Sequence, residues 1–63
     1  METVNKGDVV KVTLDVVMPV NASKDDAEQW LKFELGYAAH MDVENALVEH
    51  DVEVHGITIE WPR

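Results

Sequence analysis

The sequence predicts a small α+β domain with the element order β-α-β-β, in which one helix packs on one face of a three-stranded sheet. Apolar and polar residues alternate near both ends of the chain, which is the period of a strand with one buried face. Between these stretches, apolar residues recur at helical spacing after a strong N-cap signal. The 63 residues are expected to form one domain, 1–63.

The first strand is predicted over residues 10–18. Val12 and Leu14 fall on one side of this stretch, and Lys11 falls on the other. Pro19 closes the strand, because proline has no N–H to donate to a sheet ladder.

The helix is predicted from Ser23 to about Leu35. Ser23 is a favoured N-cap residue, and Asp26 three residues later is near the capping-box position. Gly36 suits the left-handed position that follows a helix. Glu34 falls within the apolar stripe, either as a carboxylate that reaches solvent or as a buried or interfacial acid.

Two further strands are predicted in the second half of the chain. Alternation over 38–43 indicates a short second strand, residues 44–50 form a connection, and 51–61 forms the third strand. The apolar phase of this last strand shifts by one residue at Gly56, which predicts a β-bulge at His55-Gly56.

A right-handed crossover would make the first two strands parallel, with the third strand between them and antiparallel to both, in the order 1-3-2. The first strand would keep a free edge, which invites pairing with a second copy as a homodimer. The side chains expected in the core are Trp30, Leu31, Leu35, Val12, Leu14, Val54, Ile57 and Ile59.

Charge is distributed unevenly along the chain. The net charge is −8, and residues 33–62 hold seven acids but no lysine or arginine. Such a surface repels phosphates and anionic lipids, which argues against direct binding to nucleic acid or to a membrane. It attracts basic surfaces over roughly a Debye length, ~8 Å at physiological salt.

Signals for catalysis and cofactors are scarce. There is no cysteine, the three glycines are isolated, and the single serine is accounted for as a helix cap, so a non-enzymatic protein without a cofactor is expected. The chain also shows no secretory signal and no apolar run of transmembrane length, which favours the cytoplasm. Three histidines with nearby acids allow a metal-binding hypothesis, although the spacing of His50 and His55 matches no standard ligand motif.

The acids themselves are the candidate site. Alternate residues on a strand are about 6.6 Å apart, which is close to the spacing of successive phosphates on a nucleic-acid strand. An ordered row of carboxylates could therefore occupy a basic groove that normally holds DNA or RNA, whereas the simpler alternative is that the acids only aid solubility. The predicted partner-binding residues are Asp42, Glu44, Glu49, Asp51, Glu53 and Glu60.

Residues 30–37, which read Trp-Leu-Lys-Phe-Glu-Leu-Gly-Tyr, are followed by Met41-Asp42, Asn45-Ala46-Leu47 and residues 50–53. This series resembles a group of small acidic bacteriophage proteins. The resemblance implies a protein made in the cytoplasm of an infected bacterium, where such proteins bind and inhibit host enzymes of transcription or nucleic-acid-based defence.

The leading hypothesis is therefore a non-enzymatic, phage-encoded inhibitor that occupies a basic, nucleic-acid-binding site of a host protein. The alternative is a small homo-oligomeric interaction or assembly module in which an apolar edge, or a patch at Phe33 and Tyr37, matters more than charge. A histidine–carboxylate metal binder is the third hypothesis.

Overall fold

A computed structural model describes residues 2–62, which form two strands and one helix. Strand β1 spans Lys11–Val16, helix α1 spans Lys24–Glu34 and strand β2 spans Val54–Glu60. The strands pair antiparallel as a two-stranded ribbon. Within residues 2–62, no helix has the length and apolar character needed to cross a membrane.

The predicted three-stranded sheet with the order 1-3-2 is wrong, because residues 38–43 form no strand. The chain instead turns at the end of this stretch and just beyond it: Asp42 Oδ1 accepts a hydrogen bond from the N–H of Glu44, and Asn45 Oδ1 accepts one from the N–H of Leu47, each at 2.9 Å. Asp and Asn side chains that bond the backbone two residues onward compete with strand pairing. The fold is therefore a smaller α+β arrangement in which β1 and β2 pair directly.

The bulge predicted at His55-Gly56 is confirmed. Asp15 lies opposite Gly56, whereas Val16 lies opposite Val54, so His55 is an extra residue in β2. Directly opposed residues share a face. The bulge thereby collects the apolar side chains on one face, here named the apolar ribbon face: Val12, Leu14, Val16, Val54, Ile57 and Ile59. The polar ribbon face carries Lys11, Thr13, Asp15, Thr58 and Glu60.

Helix α1 begins and ends as predicted. Ser23 Oγ accepts a hydrogen bond from the N–H of Asp26 at 3.1 Å. At the other end, the N–H groups of Gly36 and Tyr37 donate to carbonyls of the last turn at 3.1 and 2.8 Å, which is a Schellman motif. The φ of +80° at Gly36 is the left-handed conformation that glycine adopts most readily. Glu34 is half-buried at the end of this helix.

The core is centred on Trp30 and Leu47, whose exposed fraction is 0% in each case. This confirms Trp30 as a core residue, while Leu14 and Leu31 are half-buried. The core prediction is wrong for several exposed residues: Leu35, Val12, Val54, Ile57 and Ile59.

The physical reason is that α1 does not close over the ribbon. An open groove remains between them, lined by Val12, Leu14, Val16, Leu31 and Leu35. Without the second strand, the ribbon is too narrow to present a full apolar layer to the helix, and Ile57 stays 61% exposed.

Candidate binding surface

Residues 42–53, here named the acidic segment, connect α1 to β2 and carry five of the six predicted site residues. All five acids are exposed, and this stretch contains no lysine or arginine. Its buried and half-buried positions are Asn45, Leu47, His50 and Val52. The segment is therefore two-sided, with neutral side chains or histidine turned inward and every carboxylate turned to solvent.

Asn45 fixes the acidic segment to the helix. Its side chain is 4% exposed, and its Nδ2 donates to the backbone carbonyl of Asp26 at 3.0 Å and to Gln29 Oε1 at 2.9 Å. Its Oδ1 accepts from the N–H of Leu47, so both donors and the acceptor are used. A buried amide that is fully bonded in this way holds a single orientation.

Three more contacts join the same elements. The Nε1–H of Trp30 donates to the carbonyl oxygen of His50 at 3.0 Å, and Asp26 Oδ2 accepts from the N–H of Ala46 at 3.3 Å. Gln29 Oε1 also accepts from the N–H of Asp42, at 3.3 Å. The segment is thus bonded to one face of α1 at its start, middle and end.

The predicted acids differ in their surroundings. Among residues 2–62, the ion pairs are Lys11–Glu60 at 4.0 Å, Glu28–Lys32 at 3.7 Å and Glu53–His55 at 3.2 Å. In that described part of the chain, Asp42, Glu44, Glu49 and Asp51 therefore lack a basic partner. Asp42 Oδ1 in addition accepts the N–H of Glu44 and so stabilises the turn at these residues.

Glu60 lies apart from the other five predicted site residues. It lies at the end of β2 opposite Lys11, six residues beyond Val54, a distance of about 20 Å along an extended strand. The structure therefore brings together the acids of residues 42–53 and leaves Glu60 on the polar ribbon face.

The metal-binding hypothesis gains no support from the geometry. Across the described residues, no three histidine, aspartate or glutamate side chains come together in a group that could hold a metal ion. His40 and His55 are exposed, and His50 is half-buried with its carbonyl bonded to Trp30.

A cavity lies between residues 2–8, here named the N-terminal lead-in, and the two residues that follow β2. It is lined by Glu2, Thr3, Val4, Asn5, Asp8, Trp61 and Pro62. None of the predicted site residues lines it.

Sequence reasoning missed Asn45 and Gln29, whose side chains position the acids. The available signal is that Asp42 and Asn45 each stand two residues before the backbone N–H that they bond. Asp and Asn at such positions are typical of turns that a side chain stabilises.

Comparison with protein-family models, with curated proteins and with solved structures gives no match to this chain.

Proposed function

We propose that this chain is a non-enzymatic binding protein whose acidic segment docks on a basic, nucleic-acid-binding surface of a partner protein and excludes nucleic acid from it. The observation that carries the proposal is the two-sided acidic segment, with five exposed acids and no lysine or arginine. Its resemblance to small acidic bacteriophage proteins directs the search for the partner to bacteria.

Anchoring of the segment supports this proposal. A charged loop that is already ordered loses less conformational entropy on docking than a mobile tail does. Asn45 and Trp30 supply that order, because their hydrogen bonds join the buried side of the segment to α1. The exposed carboxylates of Glu44, Glu49 and Asp51 take no part in these bonds and can contact Arg and Lys of a partner.

The spacing of two acids supports the exclusion of nucleic acid. Asp51 and Glu53 are exposed on either side of the half-buried Val52, and the N–H of Val17 donates to the carbonyl of Glu53 at 3.3 Å, just before β2. Two residues apart in the chain, their Cα atoms are separated by at most about 7 Å, which is of the order of the distance between successive phosphates on a nucleic-acid strand.

Capture from a bacterial lysate on the immobilised full chain tests the proposal. The wild type is expected to retain basic nucleic-acid-binding proteins that are released by 0.5 M salt, as screening requires, and also by added duplex DNA. The variant Asp51→Lys/Glu53→Lys should lose them. Retention that neither DNA nor this variant changes would contradict the proposal.

A matched control separates the site from net charge. Glu2→Lys/Asp8→Lys changes the charge by the same amount in the exposed lead-in, where Asp8 Oδ2 accepts the N–H of the nearby Asn5. This variant should capture the same proteins as the wild type. Equal losses in both double variants would indicate a non-specific effect of charge.

A second candidate is an interaction or assembly module that binds through apolar contact. Exposed aromatic side chains favour it, since Phe33 in the last turn of α1 is exposed and Tyr37, which follows the helix, is 83% exposed. Loss of association in Phe33→Ala, with no effect of Asp51→Lys/Glu53→Lys, would select this candidate.

A further inference from the structure

In the described part of the chain, residues 2–62, no strand pairs with the outer edge of β1. Within residues 2–62, β1 pairs only with β2, and a two-stranded ribbon is marginally stable in water without further strands or a well-packed helix. The open groove between Leu31 and Leu14 shows that α1 supplies only part of that packing. β1 is therefore an unprotected edge that carries apolar residues on one face.

We propose that a second copy of this chain pairs with β1 along this edge, antiparallel about a two-fold axis at Thr13, to form a four-stranded sheet. The inference goes beyond the proposed function and does not rest on it. In this register, Lys11 lies opposite Asp15 of the second copy on the polar ribbon face, and Val12 lies opposite Leu14 of that copy on the apolar ribbon face.

Charge selects this register. An axis at Thr13 produces two Lys11–Asp15 pairs related by symmetry, and opposite charges directly across two strands are stabilising. An axis at Val12 would place Lys11 opposite Thr13, and an axis at Leu14 would place Asp15 opposite Thr13. A pairing register shifted by one residue would instead place each apolar residue of one copy opposite a polar residue of the other.

The area that a single copy leaves exposed is large enough for such an interface. The accessible surface is 5632 Å², against about 4,100 Å² for a compact protein of this mass. The radius of gyration is 14.6 Å, against about 11 Å for a compact chain of this length. The surface in excess of that of a compact protein is roughly 1,500 Å², part of which belongs to the exposed lead-in. This excess is larger than the ~800 Å² that each partner buries in a standard interface.

β2 is a poorer edge for the same pairing. Its bulge at His55 disrupts the ladder locally, and bulges are a common protection of sheet edges. An axis at Thr58 would place Glu60 opposite Gly56 and gain no charge pair.

The acidic segment lies away from the proposed axis. The acidic segment reaches the ribbon at Glu53, whose carbonyl bonds Val17, and Val17 lies four residues from the proposed axis. This is about 13 Å along the strand, which is longer than the Debye length of ~8 Å at physiological salt.

Cysteine cross-linking tests the axis, because the natural chain has no cysteine. In Thr13→Cys, the two thiols face each other across the axis at a Cβ separation of about 4.5–5.5 Å, close enough for a disulfide after a small adjustment. In the control Thr58→Cys, on the same face of β2, they are three strand spacings apart, about 14 Å. A mild oxidant should cross-link the first variant at least tenfold faster.

Charge exchange tests the partner residues. Across the proposed axis, Asp15→Lys alone and Lys11→Glu alone each create two like-charge pairs and should weaken self-association by about tenfold in sedimentation equilibrium. Lys11→Glu also removes the ion pair with Glu60 within each copy, an exposed pair of 4.0 Å that contributes little to stability. Mixing the two variants restores both opposite-charge pairs, so the heterodimer should form with near wild-type affinity. Glu2→Lys and Lys6→Glu are the matched controls and should leave the affinity unchanged.

Circular dichroism of each variant confirms that it remains folded. A wild-type chain that is monomeric at 100 μM would overturn the proposal. Equal cross-linking of the two cysteine variants, or failure of the mixed charge variants to associate, would overturn it as well.

Discussion

The indole Nε1–H of Trp30 donates to the carbonyl oxygen of His50 at 3.0 Å, and this bond joins α1 to the acidic segment. Trp30 is fully buried, so its N–H needs a partner within the protein, and the carbonyl of His50 is that partner. The orientation of the segment is thereby coupled to the centre of the core.

Trp30→Phe removes this donor and part of the buried ring. We expect a loss of about 1–3 kcal/mol in the free energy of unfolding, from the lost hydrogen bond and the small cavity. Thermal unfolding followed by circular dichroism measures it, at roughly 4–8 °C per kcal/mol for a domain of this size.

The same substitution at Trp61, which is 63% exposed, is the control. Trp61→Phe should change the stability by less than about 0.5 kcal/mol, as surface substitutions usually do. Equal effects at the two tryptophans would contradict the role assigned to Trp30.

Asn45→Asp replaces a bonded amide by a carboxylate of nearly the same shape. The new oxygen would face the carbonyl of Asp26 and Gln29 Oε1, where Nδ2 now donates two hydrogen bonds. The N–H of Leu47 would still donate to one carboxylate oxygen, but the other oxygen would face two acceptors at a buried position, so we expect destabilisation of about 2–4 kcal/mol. Asn21→Asp, at an exposed position, should be nearly neutral in the same urea titration.

Gly56→Ala tests the packing at the bulge. A Cβ at this position would stand 2.7 Å from Asp15 Oδ2, so the carboxylate would have to rotate away. We expect a cost of about 1 kcal/mol in the wild type. In the Asp15→Ala background the cost should largely vanish, and a double-mutant cycle without coupling would contradict this contact.

Ser23→Ala removes the N-cap of α1. The Oγ that accepts the N–H of Asp26 is lost, and the expected destabilisation is about 1 kcal/mol. Ser23→Asp keeps an acceptor at the same place and should retain most of the stability. Equal melting temperatures for the two variants would show that the cap contributes little.

Local signals in the sequence were sufficient for the helix and for the bulge in the last strand. Ser23 and Gly36 bound α1 through backbone bonds that involve nearby residues only. The phase change at Gly56 predicted the bulge for the same reason, because it depends on the alternation within one strand. The antiparallel pairing of the first and last strands is the part of the predicted sheet that the structure contains.

The second strand failed because alternation over six residues does not distinguish a strand from consecutive turns. Asp42 and Asn45 satisfy backbone N–H groups with their side chains, which removes the need for a neighbouring strand. The core prediction for Ile57 and Ile59 failed with it, since both were assigned to a wider sheet under the helix. The acids of the candidate surface were identified from composition, but the residues that hold them depend on contacts about 20 positions apart in the chain.

The salt dependence of binding between this chain and a protein retained in the lysate capture tests the central claim most directly. The dissociation constant should rise steeply with salt for the wild type and for Glu2→Lys/Asp8→Lys, because exposed charges of the acidic segment form the contact. Asp51→Lys/Glu53→Lys should bind at least tenfold more weakly at low salt and with a shallower slope. Equal affinities and slopes in all three proteins would contradict the account.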